Sequence, residues 1–157
     1  MKTLDQWLAE YSASHRNANN KLTHWLGIPL IVFALFAGLK AVPVGNEWLN
    51  AATVAVVLAL AYYALLSWRL ALGMAVIFAV MYALILPLEQ ATGRWLPVVA
   101  VVVFTIGWVL QFIGHAYEGM KPSFFKDLQF LMIGPLWLLA DVYHRMQLPM
   151  VSAAKKN

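Results

Sequence analysis

The chain alternates between long apolar runs and short polar breaks. Near its start, Leu4, Trp7, Leu8 and Tyr11 recur at i, i+3, i+4 and i+7, while Lys2, Asp5, Glu10 and Ser12 take the other side. That spacing predicts a short amphipathic helix lying in a membrane interface. His15-Arg16-Asn17-Ala18-Asn19-Asn20 holds poor helix formers and no apolar period, so a loop or tight turn is expected there. Four apolar segments follow, over 22–39, 48–68, 70–88 and 95–113. Each is close to the roughly 20 residues that a spanning helix needs. Pro29 is expected near the start of the first segment, where a helix tolerates proline best. The third is expected to stop at Pro87 and Glu89, before a short turn over 90–94. The fourth is Val-rich, yet a helix is still expected, because in lipid a segment must bond its own backbone groups.

The fifth apolar stretch lies between Asp127 and Asp141. At about 13 residues it is short for a span and suits a re-entrant or interfacial segment. Gly134-Pro135 is expected to break it near the middle. The fold class is therefore all-α and integral to the membrane, with an N-terminal interfacial helix, four transmembrane helices and a re-entrant or broken fifth segment. One domain is expected for 157 residues. It divides into interfacial helix and loop over 1–20, spanning helices over 22–113, a polar loop over 114–127, the re-entrant segment over 128–144 and a tail over 145–157.

Composition strengthens that picture. The chain is 62% hydrophobic and 11% charged, with a mean hydropathy of +0.71. Soluble domains run nearer about 45–50% apolar and about 25% charged, so polar surface is short here. Charge sets the orientation. With the N-terminus in the cytoplasm and four spans, Lys2, Arg16, Lys21, Arg69, Lys121 and Lys126 fall inside, against Lys40 and Arg94 outside. A fifth segment that dips and returns adds Arg145, Lys155 and Lys156 to the inner side, which makes the positive-inside bias strong. Both termini are thus expected in the cytoplasm, with a bacterial inner membrane as the setting. The net charge of +4 contains no basic run, so no nucleic-acid partner is expected. The absence of cysteine excludes disulfides, thiolate metal sites and thiol nucleophiles.

The candidate chemistry lies in the histidines. His15, His24, His115 and His144 all fall near the cytoplasmic surface in this topology. Four imidazoles on one face form a metal-site pattern, since neutral imidazole suits iron, zinc, copper and nickel. His15 and His24 are nine residues apart and would face nearly opposite directions on one helix, at about 100° per residue. The Asn-rich break between them lets both face one site. His115 with Glu118, and Asp141 with His144, are i, i+3 pairs able to ligate a metal or orient a ligating imidazole. Glu118 could equally partner Lys121, and Asp141 could pair with Arg145 at i, i+4.

Two stretches carry a family resemblance. One is Tyr11-x3-His15-x-Asn17-x2-Asn20-x3-His24-x2-Gly27-x-Pro29; the other is Gln111-Phe112-Ile113-Gly114-His115-x2-Glu118-x3-Pro122. Together they resemble a family of small membrane proteins that includes a fungal iron(II)-dependent dioxygenase acting on 2-hydroxy fatty acids. The resemblance implies Fe(II) held by His15, His24 and His115, with His144 outside the pattern. It implies catalytic support from Glu118 and Asp141. Asn20, Arg16 and Lys121 are the candidates for holding the substrate. The implied partners are a long-chain 2-hydroxy fatty acid, O2 and the lipid bilayer, and the implied reaction removes C1 to leave the acid one carbon shorter. The residues alone leave open another membrane metalloenzyme, such as a di-iron lipid oxidase using His115/Glu118 and Asp141/His144. They also leave open a non-enzymatic lipid-binding protein. A transporter fits less well, because the middles of the apolar segments are almost bare of polar groups.

Overall fold

The computed structural model describes residues 2–119 and 124–150, the side chains of 124–129 excepted. Its regular elements are helices: α1 (Leu4–Ala13), α2 (Ala18–Lys40), α3 (Ala51–Leu66), α4 (Trp68–Thr92), a 3-10 turn (Gly93–Trp95), α5 (Leu96–Glu118) and α6 (Phe124–Arg145). No strand occurs among the described residues, which accords with the all-α class.

Local chemistry fixes most of the boundaries. The Thr3 hydroxyl accepts from Gln6 N–H while the Gln6 side chain accepts from Thr3 N–H, a reciprocal cap that starts α1. The expected loop over 15–20 is shorter than its composition implied. Asn17 caps α2 by accepting from Asn19 N–H at 2.9 Å, and Asn19 and Asn20 lie inside the helix. Asparagine is a poor interior residue but a strong N-cap, and the cap decides here. Ser67 serves two helices at once: it ends α3 in extended geometry and caps α4 through Leu70 N–H. Gly119 closes α5 in the left-handed region, at φ +70°.

Three proline expectations are corrected. Pro29 lies well inside α2, because the helix begins at Ala18 and not at Leu22. Helix α4 runs past Pro87 to Thr92 and stops only at Gly93, where φ is +53°. Helix α6 continues through Gly134-Pro135, so the expected break does not occur. One missing N–H donor does not end a helix when the flanking residues have better partners in the helix than elsewhere. Gly134 has a different task. A Cβ there would lie 3.1 Å from Ile28 Cδ1 and 3.2 Å from the Tyr11 hydroxyl, so its absence lets α6 settle on α1 and α2.

The bundle has two chemically distinct ends. Helices α2 and α5 pack antiparallel along most of their length. At one end, Lys40 from the close of α2 pairs with Glu89 of α4 at 3.2 Å, and Asn50 at the head of α3 donates to the Tyr82 hydroxyl. At the other end, α6 crosses the α3–α4 joint. Tyr63 donates to Met132 O, Tyr143 donates to Arg69 O, and Ser67 donates to Met150 O. Trp137 Nε1 donates to Ser12 Oγ at 2.9 Å, so α6 also holds α1 against the same end. The core between the helices is built from Val32, Phe36, Tyr63, Met74, Phe78 and Leu136.

Much apolar surface stays outside. Leu58, Leu65, Leu72, Val76 and Val101 are each more than half exposed. Two helical stretches, Ala18–Lys40 and Trp68–Glu118, are long and apolar enough to cross a membrane, and Ala51–Leu66 is a shorter apolar helix. Length and apolarity of this kind point to membrane association.

Candidate metal centre

The end covered by α1 and α6 carries the histidines. His15 lies in the short link between α1 and α2, His24 in the second turn of α2, and His115 in the last turn of α5. Their ligand nitrogens all lie within 4.8 Å of one another. His15 and His24 are almost fully buried, and His115 is half-buried. Among the described residues, these three form a group of donors able to hold a metal ion. Glu118, Asp141 and His144 lie outside it.

Each of the first two rings is oriented by a backbone carbonyl four residues earlier. His15 Nδ1 donates to Tyr11 O at 2.6 Å, and His24 Nδ1 donates to Asn20 O at 2.9 Å. Tyr11 O, in the last turn of α1, also accepts from Ser14 N–H and from the Ser14 hydroxyl. Donation through Nδ1 leaves the lone pair on Nε2, the tautomer a metal ligand needs. His15 Nε2 is buried with no hydrogen-bond partner. The Tyr11 ring also stacks on His15, with centroids 4.1 Å apart and planes 3° from parallel. Burial lowers the His15 pKa to about 4, against the raising effect of the Tyr11 carbonyl, so the ring is neutral at physiological pH. Three clustered imidazoles, two of them buried and oriented through Nδ1, with an unmet ring nitrogen on His15, fit a divalent transition metal.

Glu118 has another place than beside a metal. Its two carboxylate oxygens accept from Arg16 N–H and Asn17 N–H, each at 2.9 Å, and from Asn20 Nδ2 at 3.0 Å. It thereby ties the link carrying His15 to the end of α5. Asn20 is fully buried and extends the same network by donating to Ser14 O at 3.2 Å. The Arg16 side chain is exposed, and its backbone N–H is the part that meets Glu118. Asp141 pairs with Arg145 at 2.9 Å. His144 is exposed. Lys121 lies outside the described residues.

Two cavities adjoin the cluster. The first contains all three histidines together with Tyr11, Trp108 and Gln111. The second is apolar and lies between α2, α4 and α6, among Trp25, Val32, Met74, Phe78 and Leu139. Ile28 and Pro135 line both, so the two are neighbours. Sequence patterning missed Tyr11 as a ring partner, because its i+7 place in α1 marks it as part of an apolar face. It missed Gln111 and Trp108 as pocket residues, although both share a helical face with His115 at i−4 and i−7.

Helical throughout its described residues, with three clustered imidazoles beside an apolar cavity, the chain falls in the class of helical proteins with a candidate three-histidine metal site. Residues 1–146 match the family described as 2-hydroxy-palmitic acid dioxygenase Mpo1-like, and the chain belongs to that family. A curated relative is the 2-hydroxy-palmitic acid dioxygenase MPO1 of Saccharomyces cerevisiae. It is 28% identical over 142 residues, which cover 85% of this chain and 76% of that protein. No solved structure matches the chain.

Proposed function

We propose that this protein is a membrane-embedded, Fe(II)-dependent dioxygenase that shortens a long-chain 2-hydroxy fatty acid by one carbon. The observation that carries the reading is the cluster of His15, His24 and His115, within 4.8 Å of one another, in a chain of this family. The substrate class comes from the family's description and from the name of the yeast relative. The reaction balances without an added reductant: a 2-hydroxy acid and O2 give the acid one carbon shorter, CO2 and water. All four electrons come from the substrate, so 2-oxoglutarate is not required.

Bound Fe(II) would supply the redox chemistry at which O2 and the hydroxy acid meet. This chain's residues do the rest. The three imidazoles hold the ion and leave positions open. Tyr11 and Asn20 carbonyls fix the tautomers of His15 and His24. Glu118 holds the link that carries His15, and the apolar cavity among Trp25, Met74 and Phe78 receives the acyl chain and excludes water. The exposed apolar residues of α3, α4 and α5 face lipid, and α2 to α5 are the four spans, with the site at the cytoplasmic surface. A substrate dissolved in that leaflet reaches the pocket without leaving the membrane.

Asp141 paired with Arg145, and His144 at the surface, give the di-iron alternative no geometric support. The test begins with metal analysis of protein purified anaerobically. Iron is expected in the wild type and is expected to be lost from His15→Ala, His24→Ala and His115→Ala variants that remain in the membrane fraction. Iron-loaded protein given labelled 2-hydroxypalmitate should then form pentadecanoate only with O2. Intact, iron-loaded protein that yields no shortened acid at any acyl length overturns the catalytic reading.

A further inference from the structure

Helix α5 presents a second polar device one turn from His115. Gln111 is only 7% exposed, and its Nε2 is buried with no hydrogen-bond partner. A buried, unmet amide donor costs about 1–3 kcal/mol, so a resting fold gains nothing by keeping one there. Room has been made for it. A Cβ on Gly27 would lie 2.2 Å from Gln111 Nε2, so the amide occupies the space that glycine leaves on α2. Gln111 lines the same cavity as the three histidines, and Trp108 Nε1, on the same face of α5, is a second buried donor there without a partner. Among the described residues lining that cavity there is no lysine or arginine. An anion entering it must therefore be met by neutral donors besides any metal.

We infer that Gln111 is the specificity-determining residue that recognises the substrate's carboxylate. Its amide N–H donates to a carboxylate oxygen of that acid. For the identity of the acid, this rests on the dioxygenase reading. In a dry pocket, a neutral donor to an anion is worth more than one between neutral groups. The pocket then separates a 2-hydroxy acid from a 1,2-diol of equal length, which brings two oxygens but no carboxylate.

The test measures binding, anaerobically, to the full-length iron-loaded protein in lipid nanodiscs, with 2-hydroxypalmitate and hexadecane-1,2-diol as probes. Gln111→Leu removes the donor at similar volume. It should weaken the acid about 10- to 100-fold, the range for a hydrogen bond to a charged group, and change the diol less than about threefold. Without ligand, its thermal midpoint should equal or exceed that of the wild type. Gln111→Glu, which keeps the shape and adds a like charge, should also lose the acid selectively. If both variants weaken acid and diol alike, or neither, Gln111 is a structural residue and the inference is overturned; a wild type that binds no 2-hydroxypalmitate overturns it too. A wild type whose acid binding depends on Gln111, but which forms no shortened acid with O2, upholds this inference and removes the catalytic reading instead.

Discussion

His15 and His24 owe their orientation to backbone carbonyls four residues earlier. Tyr11 O accepts from the His15 ring and from Ser14 at the end of α1, and Asn20 O accepts from the His24 ring and from the Thr23 hydroxyl. The residue that holds this arrangement from the far side is Glu118, which accepts two backbone N–H groups and the Asn20 amide. Replacing Glu118 with Gln turns one acceptor into a donor that faces other donors. Metal affinity should fall about 10–100-fold, measured by competition with a chelator, with His115 still in place. Acidity acts on the same residues. His15 has a pKa of about 4 in the fold against 6.5 when free, so the unfolded chain binds the extra proton first. The stability that neutral His15 contributes is complete above pH 6.5 and is lost as pH falls toward 4. Thermal unfolding of metal-free protein between those pH values should show this slope, and a His15→Asn variant should flatten it. The sequence made the histidines visible because imidazole has few uses in an apolar chain. It presented Glu118 as a candidate beside a metal, because nothing in an i, i+3 spacing tells that its partners lie about a hundred residues earlier.

Helices are where sequence reading and fold agree most closely, and prolines are where they part. Apolar runs locate the elements to within a few residues, and the structure adds caps such as Asn50 at the head of α3. Pro29 is expected near a helix start, Pro87 at a helix end and Pro135 at a break, and each lies inside a continuous helix. Proline's missing donor is a local property, whereas helix length here is set by packing against neighbours. The α2–α5 contact shows the same rule from the opposite side. A Cβ on Gly114 would lie 2.2 Å from Thr23 Oγ1, 2.5 Å from Asn20 Oδ1 and 3.1 Å from His24 Nδ1. Gly114→Ala should therefore cost about 1–3 kcal/mol by overpacking and displace His24. Its check is a lowered thermal midpoint together with reduced metal content, whereas an Ala substitution at the half-buried Leu39, at the far end of α2, should leave metal content alone.

Across the whole molecule, orientation follows from the site's end of the bundle. That end carries Lys21, Arg16 and Arg69, so reporter fusions at both termini should read out from the cytoplasm. A C-terminal reporter on the outer side would place α6 across the membrane and separate it from α1. Composition made the apolar helices legible, but not the way α6 lies over the α3–α4 joint, which depends on Tyr63, Tyr143 and Trp137 finding partners far along the chain. The cluster itself is assembled from opposite parts of the polypeptide: two imidazoles from its first two dozen residues, the third from α5. While a ribosome is still making the chain, His15 and His24 emerge with no third ring beside them. The triad closes only when α5 has packed on α2, and α6 follows later still, so a three-imidazole site exists only once most of the chain has been made.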